Sequence, residues 1–120
     1  MTAMRLVVDD VDAALAALEP AGFTLVERWG PPFAILERDG TEFWVSGPGT
    51  SAAKATDELP ETDRVCAAVR PVIETDDAPT TVASLVAVGW VVAAGPVTGP
   101  GGSQQLLRNA GLFVEVFASA

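Results

Sequence analysis

The stretch "ETDDAPTTVASLVAVGW", Glu74 to Trp90, decides how this chain is read, because "VVDDVDAALAALEPAGF", Val7 to Phe23, carries the same signals in the same order. Asp10 corresponds to Asp77, Leu18 to Leu85, Gly22 to Gly89 and Phe23 to Trp90, each pair 67 positions apart. Further on, Leu36 corresponds to Leu107, Gly40 to Gly111 and Val45 to Val116, now 71 positions apart. The change of spacing places four extra residues in the second copy. The glycine-rich hairpin loop "TGPGGS", Thr98 to Ser103, accommodates them. An internal duplication takes precedence over any local reading, because it sets the architecture of the whole chain.

Each copy has the same local grammar. A short strand comes first, "MRLVV" in one copy and "VRPVIET" in the other. A helix then starts at an aspartate able to cap free N–H groups, Asp10 or Asp77. Val11, Ala14, Leu15 and Leu18 recur at helical spacing. Pro20 shortens the first helix, and Gly22 and Gly89 close the two helices. Three strands follow in each copy: about Thr24–Arg28, Phe33–Glu37 and Glu42–Ser46, then Val91–Pro96, Gln104–Arg108 and Leu112–Phe117. The fold class expected is α+β, with one βαβββ module over 1–46 and a second over 65–120. Between them, 47–64 is rich in Gly, Pro, Ser, Thr and acidic residues and reads as a flexible linker.

Composition narrows the function. The chain of 120 residues is 49% hydrophobic and 19% charged, enough for one compact domain with a real core. Seven basic residues face sixteen acidic ones, for a net charge of −9, and there is no Lys/Arg run. Nucleic acid and anionic membranes are therefore excluded as partners. No stretch is long and apolar enough to span a bilayer, and "MTAMRLVVDD" lacks the pattern of a secretory leader, so a soluble, cytoplasmic protein is expected. Cys66 is the only cysteine, and it is expected to be a small buried residue rather than a nucleophile. With no histidine, no Ser-His-Asp or Cys-His arrangement exists.

The duplicated βαβββ order, the "GPVTGPGG" loop and the terminal "RNAGLFVEVF" resemble the vicinal oxygen chelate superfamily, which includes glyoxalases, bleomycin-resistance proteins and extradiol dioxygenases. The resemblance covers nearly the whole chain. It implies two cupped mixed sheets around a central cavity, helices outside, and often a homodimer. It also implies that metal-dependent members place a His on the first strand and a Glu on the last strand of each module. Here those four positions are Ala3, Arg70, Trp44 and Glu115. One donor in four is too few for a metal site, so the expectation is no metal and no cofactor, as in the bleomycin-resistance-like branch.

Strand alternation then selects the cavity lining. Phe113, Glu115 and Phe117 share one face of the last strand. Trp44 shares a face with Glu42 and Ser46, Arg70 with Val72 and Glu74, and Arg5 with Ala3 and Val7. Arg5, Trp44, Arg70, Glu74, Phe113, Glu115 and Phe117 are the candidate ligand-binding residues. Because the resemblance places the first strand beside the last, Arg70 is the expected partner of Glu115, either as a structural pair or as a site for a polar ligand atom. Trp90 is expected in the core, Trp29 at a hairpin, and "GPVTGPGG" as a flap over the cavity.

Three functions follow. The leading one is metal-independent binding of a small organic molecule, aromatic or cationic, between aromatic walls. The alternative is a glyoxalase-like isomerase, cyclase or lyase in which Glu115, the candidate catalytic residue, works with Arg70 on the substrate. The third is a subunit without a ligand, which predicts a filled, closed cup with no pocket.

Overall fold

The computed structural model describes residues 2–120, so Met1, where the first module was expected to begin, lies outside it. The first unit runs β1 (Thr2–Val7), α1 (Val11–Leu18), a 3-10 turn (Glu19–Ala21), β2 (Thr24–Trp29), β3 (Phe33–Arg38) and β4 (Thr41–Ser46). Two helices follow, α2 (Ser51–Asp57) and α3 (Glu61–Ala67). The second unit is β5 (Val69–Glu74), α4 (Ala78–Ala87), β6 (Val91–Gly99), β7 (Gly102–Asn109) and β8 (Leu112–Ser119). The strands form one eight-stranded sheet in the order β2-β3-β4-β1-β5-β8-β7-β6. Within each unit the first and last strands are parallel, β1 with β4 and β5 with β8. The units join where β1 pairs antiparallel with β5, setting Arg5 opposite Arg70 and Ala3 opposite Val72.

The local signals act as the duplication requires. The carboxylates of Asp10 and Asp77 accept from the backbone N–H groups of Ala13 and Thr80, capping α1 and α4. Gly22 and Gly89 take left-handed φ of +97° and +104°, which a side chain disfavours. Pro20 lies in the 3-10 turn that ends the first helix.

The Asp77 cap is also a pH sensor of stability. Hydrogen bonds from the hydroxyl and the N–H of Thr80 hold its carboxyl below the ordinary value of 3.8. A depressed folded value means the contribution is complete above the unfolded value and is lost as pH falls through the folded one. Wild type should therefore exceed Asp77→Asn in urea midpoint near neutrality, and the gap should close as pH falls below 3.8. A gap that stays constant from pH 5 to pH 2.5 would show that the carboxylate charge contributes nothing.

The two faces of the sheet are covered differently. On the outer face of the first unit, Val11 and Leu15 of α1 pack with Ala34, Leu36 and Val45. On the inner face of the second unit, Ala55, Leu59 and Ala67 pack with Ala94, Leu106 and Phe113. Those first three residues belong to α2, α3 and their connection, within or just beyond the 47–64 segment read as a flexible linker. That reading is corrected: the segment is mostly helical, and it supplies core. Its small residues let a helix lie close against the concave sheet, and Thr50 caps it through the N–H of Ala53. The 64/65 boundary expected between linker and second module falls inside α3.

Three other expectations change. Cys66 is exposed, because it lies on the face of α3 turned from the sheet. Trp90 is half-buried rather than core. The β6–β7 tip is packed rather than a free flap: a Cβ on Gly99 would come within 2.8 Å of the Ser51 hydroxyl at the start of α2.

Candidate functional site

The parallel pairing of β5 and β8 sets Val72 opposite Glu115 and Glu74 opposite Phe117. Alternation then aims Arg70, Val72 and Glu74 to the same inner face as Phe113, Glu115 and Phe117. From the other unit, β1 brings Arg5 beside Arg70, and β4 brings Trp44 beside Arg5.

Glu115 is fully buried between two guanidinium groups. Arg5 donates from Nε to Oε1 at 3.1 Å and from Nη2 to Oε2 at 2.6 Å, a bidentate pair. Arg70 donates from Nε to Oε1 at 3.0 Å. Both oxygens of Glu115 are thus engaged. The remaining N–H groups of Arg70 reach Thr56 Oγ1 at 2.8 Å, the Ala67 carbonyl at 2.9 Å and the Ala52 carbonyl at 3.3 Å. Arg5 Nη1 donates to Ser46 Oγ at 3.1 Å. Burial pulls the Arg70 guanidinium below its ordinary pKa, and the nearby charge of Arg5 pulls the same way; attraction to Glu115 opposes both.

Two cations share one anion here. The second positive charge lies over aromatic rings: the Arg5 guanidinium carbon is 5.0 Å from the Trp44 ring centre and 5.7 Å from that of Phe117. Those rings meet edge to face at 5.3 Å. Their negative faces are suited to a cation held out of water. The Trp44 indole N–H donates to Glu42 Oε1 at 2.9 Å.

The expected lining therefore divides. Arg70 and Phe113 lie beneath α2 and α3, Arg5 and Glu115 are buried beside them, and Trp44 is buried against Ala3 and Val72. The inner face of the second unit, expected to line a cavity, is covered by the chain's own helices. Phe117 is half-buried and Glu74 exposed; they line an open hollow of ≈ 290 Å³ with Thr75, Asp76 and Ser119. Thr56 and Ser46 complete the buried network. Strand alternation flagged Ser46, but nothing in the sequence pointed to Thr56, which sits in the segment read as a linker. Asp76 escaped notice because it lies beyond the end of β5.

Solved structures share the fold of the whole chain. A protein of Vibrio splendidus 12B01 described as a glyoxalase/bleomycin resistance protein/dioxygenase superfamily member superposes with a TM-score of 0.56 at 13% identity, over 99% of this chain and 98% of that one. The chain has the vicinal oxygen chelate fold. Two more structures share that fold. A methylmalonyl-CoA epimerase from Mycobacterium tuberculosis aligns at a TM-score of 0.58 and 15% identity, over 99% of this chain and 85% of that one. A Legionella pneumophila protein described as an NAD-dependent benzaldehyde dehydrogenase aligns at 0.71 and 8%, over the whole of both chains. At such identities the likeness is one of fold. No family model matches the chain, and no curated protein matches it by sequence.

Metal-dependent proteins of the vicinal oxygen chelate fold would draw ligands from the strands that here carry Ala3, Trp44, Arg70 and Glu115. These residues do not fit a metal ion. Glu115 has given both oxygens to guanidinium groups, Arg70 is itself a buried cation, and Ala3 and Trp44 offer no donor to the site.

Proposed function

We propose that the chain is a metal-independent small-molecule-binding protein whose ligand is an organic cation with an apolar, planar body. The observation that carries this reading is the hollow beside β5 and β8. Glu74, Asp76 and Phe117 line it together with Thr75 and Ser119. A cation entering this hollow meets two negative charges and an aromatic face, the combination that recognises quaternary and aromatic ammonium ions. The net charge of −9 draws cations toward it. Glu115 is not the acid or base in this reading, since neither of its oxygens is open to a substrate.

The test is titration with N-methylacridinium, followed by Trp44 fluorescence in a variant whose Trp29 and Trp90 are changed to Phe. Saturable quenching is expected, at least tenfold weaker when Glu74→Gln and Asp76→Asn are combined. Quenching that survives the loss of both carboxylates, or that neutral acridine reproduces, would remove the reading.

A second reading has a specific observation in its favour. The inner face of the second unit is covered by the chain's own helices, as it would be in a subunit working only through interfaces. The edge strand β2 supports a homodimer: all six of its residues are exposed, Trp29 to 65%. Sedimentation equilibrium alongside the titration separates the two. A dimer that ignores every cation tested supports the subunit. Among the described residues, no helix is long and apolar enough to cross a membrane.

A further inference from the structure

The two halves differ most where each outer helix meets the sheet. In the first unit, Val11 and Leu15 of α1 are buried and close the interface over Ala34 and Val45. Moving 67 positions on, their counterparts in α4 are Ala78 and Val82, each smaller than the residue it replaces. Moving 71 positions on, Ala34 and Val45 become Gln105 and Val116. Those four counterparts, together with Pro79, Pro96 and Ser103, line a hollow of ≈ 330 Å³ between α4 and the outer face of β7 and β8. The consequence shows in α4 itself, of which no residue is buried, although a helix normally holds its place by burying an apolar stripe. The duplication has thus left one helix–sheet interface filled and the other open.

We propose that this space is a second ligand site, for a neutral, largely apolar small molecule carrying one hydrogen-bonding group. Ala78, Val82, Val116 and Pro96 would hold the apolar body. The Ser103 hydroxyl and the Gln105 amide, on the same hollow, would meet the polar group. None of the seven lining residues is charged, which selects against ions. The volume falls in the range of small-molecule pockets, from about 300 Å³ upward. Val116 and Phe117 point to opposite faces of β8, so this site is independent of the cation hollow.

The experiment uses N-phenyl-1-naphthylamine, a neutral apolar fluorophore with a single N–H. Its fluorescence is expected to rise and saturate at one probe per chain. Restoring the residues of the first unit, Ala78→Val with Val82→Leu, should weaken binding at least tenfold and raise the Tm, because the hollow is then filled from within. Glu74→Gln with Asp76→Asn should leave the probe's Kd unchanged. Absence of saturable binding would overturn the proposal, as would a filled variant that binds as well as wild type. If circular dichroism shows the double variant unfolded, Ala78→Val alone is read by the same two outcomes.

Discussion

Glu115→Gln destabilises the protein by about 3–5 kcal/mol, the cost of removing one partner from a buried ion pair. The amide keeps the shape of the side chain but removes the only anion between Arg5 and Arg70. Its NH2 group also points a donor at a guanidinium that is itself a donor. Neither arginine has another route to water, since Arg5 is 3% exposed and Arg70 0%. The measurement is urea unfolding at pH 7. The companion variant combines Arg5→Met, Glu115→Leu and Arg70→Met, and is expected to recover most of the loss. Apolar groups of similar volume carry no desolvation cost, and replacing a buried ionic triad is often neutral or stabilising. A loss under about 1 kcal/mol for Glu115→Gln would put the pair in the class of solvent-screened surface bridges, contradicting the burial seen here.

The second large effect concerns the helical crossover. Leu59→Ala should cost about 2–5 kcal/mol, the range for truncating a leucine in a closed core. Leu59 is 2% exposed and packs with Ala55, Ala67, Ala94, Leu106 and Phe113. A leucine in a flexible linker would lose almost nothing on truncation. The comparison therefore asks whether α2 and α3 are part of the folded cup. The expected signature is a lower urea midpoint with an unchanged m-value, as for a core residue in a two-state domain. A drop in m-value would instead mean that the crossover unfolds separately and leaves the cup open.

Both predictions arise from residues whose importance was unevenly legible. Arg5, Arg70 and Glu115 could be placed on one face from strand alternation, given only that the first and last strands of each unit are neighbours. Period-two alternation is a local property, and the duplicated Asp, Gly and apolar positions gave two independent registrations of it. What alternation does not reveal is how many partners reach one carboxylate. That Arg5 takes the bidentate share, while Arg70 divides its donors between Glu115 and the helices, depends on a strand pairing between the two units. Thr56 and Ala52, which accept from Arg70, lie in a segment whose Gly, Pro and Ser content masks two short helices, and Ala67 lies just beyond it. Such helices carry little periodic signal, and packing rather than propensity stabilises them.

From the sequence alone came the duplication, the two βαβββ units, the capped helices and the face on which the charged residues lie, because these follow from spacing and from backbone chemistry near each residue. Tertiary structure alone decided that helices cover the inner face of the second unit, that Cys66 is exposed, and that two open hollows lie at Glu74 and beneath α4. Each of those outcomes depends on which distant surfaces meet and how completely their volumes match, and neither period nor composition along a chain encodes that fit.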